Sequence, residues 1–275
     1  EFIMKLIYLG TAAFEGIPAI FCSCQICNEA RILGKRNIRT RSQAIINDDL
    51  LIDFNPDTFT HFLNNKYDIK KIKDCLITHA HSDHFYPEDI EMARKDFVIN
   101  HNKINYYGGE TVFNKLQEIA NKPYMDGVMT ASLVKDNEII KFGKYDVLPL
   151  NANHAEDSTP FIYLISDGNK KMLYGNDTGE ISLENYEKMK KFGHLDLISL
   201  DCTGGIQTNW RGHHMSLDVC LEVIEKMKKE KIIDEKTILV VNHFSHNGKC
   251  NYDNLQEICK KYNIIVSYDG LEIEF

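Results

Sequence analysis

The segment His79-Ala80-His81-Ser82-Asp83-His84 places three imidazoles and a carboxylate within six residues. Histidine makes up only 11 of the 275 residues, so composition alone does not produce such a run. Imidazole and carboxylate are donors that many divalent metals accept. The run follows Cys75-Leu76-Ile77-Thr78, the end of an apolar stretch that reads as a strand. A strand that opens into a loop lets the alternate side chains of His79 and His81 converge on one ion. Asp83 and His84 then reach a second ion close by.

Two ions need more ligands than these four, and further donors stand just past other apolar runs. His154 follows Val147-Leu148-Pro149-Leu150-Asn151-Ala152-Asn153, Asp177 follows Met172-Leu173-Tyr174-Gly175-Asn176, and His243 follows Ile238-Leu239-Val240-Val241-Asn242. Layered α/β folds gather active-site groups at such strand ends. Taken singly, each also reads as a core histidine or a turn aspartate, and only the ordered set makes them ligands. Asp53 closes Leu50-Leu51-Ile52-Asp53 and reads either as a residue orienting the ligands or as a turn cap before Pro56.

This ordered set resembles the metallo-β-lactamase superfamily. The resemblance implies a four-layered αββα sandwich, with a dinuclear metal site along one edge of the two sheets. It implies that His79, His81 and His154 hold the first metal and that Asp83, His84 and His243 hold the second, with Asp177 bridging. It also implies a non-ligand histidine at a helix entry. In Gly212-His213-His214-Met215-Ser216-Leu217 that position matches His214, with His213 as an adjacent rival. His214, Asp83 and Asp53 are the expected catalytic group.

A second constellation is Cys22-Ser23-Cys24-Gln25-Ile26-Cys27, which holds three of the eight cysteines. A closed structural zinc site wants four ligands, and His246, three residues beyond His243, is the candidate fourth. Together with Gly10-Thr11 and Gly16-Ile17-Pro18, this pattern is similar to the PhnP-type phosphodiesterases, accessory enzymes of carbon–phosphorus lyase pathways. Ala12 and Ala13 replace glycines usual in that family, and the middle of the chain looks long for it. The resemblance implies a dinuclear phosphodiesterase acting on a small cyclic sugar phosphate. Two ions about 3.5–4 Å apart would generate a bridging hydroxide that attacks phosphorus in line. His214 would protonate the departing alkoxide. Zinc, manganese and iron all suit the paired site, with zinc in the thiolate site.

Rival readings are a tRNA 3′-processing nuclease of the same superfamily and a thioester or lactam hydrolase. A zinc-stabilised, non-catalytic accessory protein similar to the pyrroloquinoline-quinone branch is a third. The net charge of −8 argues against an extended nucleic-acid surface. Lys35, Arg36, Arg39 and Arg41 form a local basic run that reads as a phosphate attractor or as a solvated face. His61, His101 and His194 lack motif context and read as structural or exposed.

The elements that must position these groups are short strands alternating with amphipathic helices. Strands are expected at Lys5–Leu9, Gln43–Ile46, Leu50–Phe54, Ile72–Thr78, Tyr145–Leu150, Phe161–Ile165, Met172–Tyr174, Leu195–Leu200, Ile238–Val241 and Ile264–Ser267. Helices are expected at Pro56–Asn65, Glu110–Ala120, Leu183–Lys191, Ser216–Lys229 (with Ser216 as N-cap) and Asn251–Tyr262. The pattern is weakest from Phe85 to Lys135, which reads as an insertion bordering a site or as a surface excursion.

With 43% hydrophobic and 26% charged residues the chain is globular, and 4–275 is expected to form one domain. Glu1-Phe2-Ile3 reads as a vector remnant before Met4. No secretory signal and no run of roughly 20 apolar residues is evident, so a cytoplasmic protein with reduced thiols and no membrane contact is expected. The expected partner is the small substrate, with a homodimer among the expected assemblies.

Overall fold

The computed structural model describes residues 3–65, 67–100 and 102–275, so Glu1, Phe2, Lys66 and His101 lie outside the described residues. The first sheet is built from β1 (Lys5–Gly10), β2 (Gln43–Ile46), β3 (Leu50–Ile52), β4 (Asp74–Leu76), β5 (Ile104–Gly108) and β6 (Met129–Leu133). The second contains β7 (Ile140–Phe142), β8 (Tyr145–Asn151), β9 (Phe161–Ser166), β10 (Lys171–Gly175), β11 (Leu197–Asp201), β12 (Ile238–Asn242) and β13 (Ile264–Val266). Finally β14 (Glu272–Glu274) returns to pair with β1 in the first sheet. The strand orders are β14-β1-β2-β3-β4-β5-β6 and β13-β12-β11-β10-β9-β8-β7. Each sheet changes from antiparallel to parallel pairing midway, with β3 to β6 parallel in one and β10 to β13 parallel in the other.

Residue parity explains the layering. In β1, Leu6 and Tyr8 point between the sheets, whereas Ile7 and Leu9 point to the outer helices. In β10, Met172 and Tyr174 point inward and Leu173 outward. A strand buried on both faces therefore reads as a continuous apolar run. Between the sheets, the Tyr8 hydroxyl donates to Ser199 Oγ at 2.8 Å, satisfying a buried polar group at the centre of the core.

The helices are α1 (Gln25–Leu33), α2 (Thr58–Asn65), α3 (Pro87–Ile90), α4 (Glu110–Ala120), α5 (Leu183–Phe192), α6 (Leu217–Lys229) and α7 (Tyr252–Lys260). Residues of α3 and α4 pack on the outer face of the first sheet, and residues of α1, α5, α6 and α7 on that of the second. The αββα order expected from the sequence is thus the order observed. Leu217, Cys220, Ile224 and Met227 of α6 are buried on one face. Ser216 does occupy its N-cap position, but its hydroxyl accepts no helix amide there. It accepts the Trp210 amide at 3.0 Å and bonds Asp218.

The Phe85–Lys135 region corrects the sequence reading. It is neither an insertion nor a surface excursion, because it carries α3, α4, β5 and β6 and extends the first sheet. Its strands escape notice because Ile104–Gly108 and Met129–Leu133 mix polar and apolar residues near the sheet's edge. No helix among the described residues is long and apolar enough to cross a membrane.

Candidate dinuclear metal centre

The carboxyl ends of β3, β4, β10, β11 and β12 meet at one edge of the sheet stack, joined there by the loop after β8. Each delivers one or more polar side chains: Asp53 after β3, the histidine run after β4, His154 after β8, Asp177 after β10, Asp201 closing β11 and His243 after β12. Asp53, Asp177 and His243 have positive φ (67°, 48° and 63°), a conformation that non-glycine residues hold only where the surroundings enforce it.

Two groups of donors result. In the first, the Nε2 atoms of His79 and His154 lie 3.0 and 3.2 Å from His81 Nδ1. In the second, His84 Nε2 lies 3.2 Å from Asp83 Oδ2 and against Asp177 Oδ2, with His243 Nε2 at 3.1 Å from the same Asp177 oxygen. Asp177 also reaches the first group, its Oδ1 being 3.8 Å from His154 Nε2 and its Oδ2 3.8 Å from His79 Nε2. All seven residues expected from the sequence are therefore brought together, with Asp177 between the two groups.

The far side of most rings is already engaged. His79 Nδ1 donates to Thr78 Oγ1 at 3.0 Å, His84 Nδ1 to Asp53 Oδ2 at 2.6 Å, and His243 Nδ1 to Thr203 Oγ1 at 2.8 Å. His154 Nδ1 donates to the His213 carbonyl at 3.2 Å. These contacts leave the Nε2 lone pairs turned inward. His84 Nε2, His243 Nε2 and Asp177 Oδ2 are buried without a hydrogen-bond partner. Orphaned acceptor atoms converging on shared points are costly unless a cation sits among them, so the donor set fits divalent metals. The local field agrees. Burial opposes charge on His84, yet Asp83, Asp177 and Asp53 hold its proton affinity well above that of an ordinary imidazole.

Asp53 is not a turn cap. It is fully buried, accepts the Thr78 amide at 2.7 Å and orients His84, and it does not line the cavity above the cluster. Its place is behind a ligand, in keeping with the reading of Asp53 as a residue that orients the ligands. Asp83 does line that cavity.

His214 also lines the cavity. Its Nδ1 donates to Asp201 Oδ2 at 3.0 Å and lies 3.4 Å from Asp177 Oδ1, and its ring stacks on His243. Burial disfavours its charged form, but the Asp201 carboxylate outweighs this and lifts it to about 9. The His213 side chain is exposed; its backbone carbonyl accepts from His154 Nδ1 and its ring lies edge-on to the His154 ring, with centroids 6.0 Å apart. Gly179 lets this loop approach, since a Cβ there would lie 1.6 Å from the Gly212 carbonyl oxygen. Asp177, Asp201, His214 and His243 also lie within ligand distance of one another. That set shares two members with the cluster above, and Asp201 already holds His214 Nδ1.

Asp201 is the residue the sequence reading missed. It accepts from the Met215 amide at 3.1 Å and the Thr203 amide at 3.0 Å while holding His214. Its signal was present, because Leu197-Ile198-Ser199-Leu200-Asp201 ends an apolar run in an acid just as Leu50–Asp53 does.

Cys22, Cys24, Cys27 and His246 form a separate group. His246 Nδ1 lies 3.4 Å from Cys24 Sγ and 3.7 Å from Cys22 Sγ. Cys24 caps α1 and Cys27 sits in its first turn, so one helix start presents two thiols. At Cys24 burial is outweighed by hydrogen bonds from the Cys27 amide and His246, and the thiol falls to about 6. Burial and the neighbouring thiols push Cys27 up to about 12. Three thiols and an imidazole suit zinc.

The remaining candidates have structural roles. His61 is buried between Gln43 and Thr40, both at 2.6 Å, and burial lowers it to about 4. His194 is exposed. In the basic run, Arg39 is buried against Thr11, the Ser267 carbonyl and the Phe244 ring, Arg36 lies over Tyr268, and Arg41 pairs with Asp57. Of the two readings of this run, Arg39 and Arg41 are held by packing and pairing, whereas Lys35 and Arg36 are exposed.

Residues 49–235 match the family model described as a beta-lactamase superfamily domain. The chain belongs to that superfamily. It has the metallo-β-lactamase fold, and its donor clusters can hold divalent metals. Its fold is similar to a diphosphatase of the PhnP family (TM-score 0.76, 22% identity, covering 100% of this chain and 98% of that one). It is also similar to zinc-bound PqqB from Methylobacterium extorquens (TM-score 0.70, 16% identity, 98% and 99%) and to the short form of human tRNase Z (TM-score 0.62, 15% identity, 98% and 98%). A curated octanoyltransferase from Porphyromonas gingivalis is 25% identical over 281 residues, 98% of this chain and 51% of that protein. The chain thus spans about half the length of that relative.

Proposed function

We propose that this superfamily member is a dinuclear-metal phosphodiesterase acting on a small cyclic diester. The observation that carries the reading is the Asp201–His214 pair beside the seven donors, with His214 lining the cavity but belonging to neither donor group. Two divalent ions held by His79, His81, His154, Asp177, Asp83, His84 and His243 would supply a water of lowered pKa and neutralise charge on the phosphoryl oxygens. His214, with Nδ1 committed to Asp201, offers Nε2 as the acid for a departing alkoxide. Asp53, Thr78 and Thr203 fix the rings of His84, His79 and His243, so ligand geometry is set before substrate arrives.

Zinc or manganese is our assignment for the pair and zinc for the thiolate site. A tRNA-processing role is disfavoured by the net charge of −8 and by a cavity lined, among the described residues, by no Lys or Arg. Acyl transfer of the kind named for the longer relative is disfavoured because, among the described residues, no Cys or Lys lines the cavity to carry an acyl group. Metal analysis coupled to a panel of phosphodiesters, phosphomonoesters and thioesters tests the proposal. Turnover of diesters is expected, and turnover of thioesters alone would overturn it.

A further inference from the structure

A second cavity, about 420 Å³ in volume, opens on the outer face of the first sheet and shares no lining residue with the one above the metal centre. Buried Phe54, Ile104 and Tyr106 belong to its floor. α2 supplies one part of its wall and the turn after α3 another. An amphipathic helix ordinarily turns its apolar stripe into the core. In α2 only Thr58 and His61 are buried. Phe59 and Leu63, one turn apart on the same face, are 66% and 65% exposed and line the cavity instead. Met92, from the turn after α3, is 45% exposed beside them.

The polar groups of the lining divide into engaged and free. The Thr58 hydroxyl donates to the Asn55 carbonyl and accepts from Gln43 Nε2. The Asn102 amide donates to the Lys70 and Ile72 carbonyls. The Tyr106 hydroxyl and the Lys70 ammonium have no hydrogen-bond or ion-pair partner among the described residues. Tyr106 is 2% exposed, and burial keeps its hydroxyl a donor by holding the proton far more tightly than an ordinary phenol. A buried donor without an acceptor is costly, so the cavity suits a molecule that brings one. Asp89, the single acid of the described lining, is raised above its ordinary value by burial and by Glu88, which weakens its charge. A flat partner surface would not reach a side chain on the floor, and the volume falls within the roughly 300–1,000 Å³ of small-molecule sites. The exposed stripe runs along the α2 axis, which suits a chain lying beside the helix. We propose that this cavity binds a fatty acid, with the acyl chain along Phe59, Leu63 and Met92 and the carboxylate drawn to the donors Lys70 and Tyr106. The site is separate from the metal centre and does not rest on the phosphodiesterase reading.

Calorimetric titration of the metal-loaded full chain with dodecanoate, kept below its micellar concentration, tests the site. One saturable molecule per chain is expected, with dodecyltrimethylammonium binding far more weakly because its head carries the wrong charge. Lys70→Glu, a change at an exposed side chain, should weaken dodecanoate several-fold and strengthen the cationic chain. Tyr106→Phe removes one hydroxyl and should weaken dodecanoate about tenfold. Leu63→Asp places a charge against the chain and should weaken it by about tenfold or more. All three variants should keep the metal content and circular dichroism of the parent. Uptake without saturation, equal binding of the two head groups, or dodecanoate affinity unchanged in both Lys70→Glu and Tyr106→Phe would overturn the proposal. Naphthoate binding more tightly than dodecanoate would overturn the chain in favour of a ring. Self-association broken by Leu63→Asp, with no dodecanoate bound, would overturn it in favour of a second copy of this chain.

Discussion

The two donor clusters are both candidate metal sites, yet they are built in opposite ways. The histidine–aspartate cluster draws its seven members from four strand ends in both sheets, buries most of them, and lies beneath a cavity. The thiolate cluster takes three members from six consecutive residues and the fourth from the loop beyond β12. A site that handles substrate needs an open position and donors fixed by the whole fold. A closed tetrahedral site can be assembled by a short loop and can in turn fasten that loop. Here a metal held by the thiolate cluster would fasten the segment that follows Phe14 and Glu15, which line the cavity rim.

Removing a donor from the open cluster should have the largest effect on turnover. His81→Ala or Asp177→Ala is expected to lose roughly 10³-fold or more in diester hydrolysis while the chain stays folded. Circular dichroism and metal content check this, and retained turnover with one ion lost would break the comparison. Next comes His214→Ala, expected to lose about 10²–10⁴-fold on alkyl or ribose leaving groups. It should lose far less on a nitrophenyl diester, whose leaving group needs no proton. Asp201→Asn should follow the same leaving-group pattern at about 10–100-fold, and His213→Ala should be mild on both substrates. Equal losses on the two substrates would make His214 a positioning residue.

In the closed cluster the loss should appear as stability. Cys24→Ser is expected to lower Tm by about 5 °C or more and to reduce bound metal from three ions per chain to two. An unchanged Tm with turnover abolished would move the thiols into catalysis. The smallest effect is expected at Arg36, where Arg36→Ala removes a cation–π contact with Tyr268 worth about 0.5–1 kcal/mol. KM should not change, and a large rise in KM would return the basic run to substrate attraction.

The ligand run, the cysteine run and most strands were legible because each is a local pattern. His79, His81, Asp83 and His84 must share one loop to reach paired ions, and the apolar runs before His154, Asp177 and His243 must be strands to bring them there. β5 and β6 were not legible, since near the sheet's edge their polar residues interrupt the apolar run. α1 was hidden because its first turn overlaps the cysteine motif.

By itself the sequence determined the donor types, their order and an alternation of strands with covering helices, because ligand chemistry and burial periodicity act over a few residues. The two-sheet architecture was implied by the family resemblance. Only the tertiary structure decided contacts between segments far apart in the chain. Asp177 lies between two donor groups because β10 ends between β9 and β11 in the sheet. Asp201 holds His214, thirteen residues away, because the intervening loop folds back over the end of β11. Arg39 is occupied by Ser267, 228 residues distant, and so is unavailable to substrate. A side chain's chemistry is intrinsic, but whether it meets substrate depends on which partner the fold supplies first.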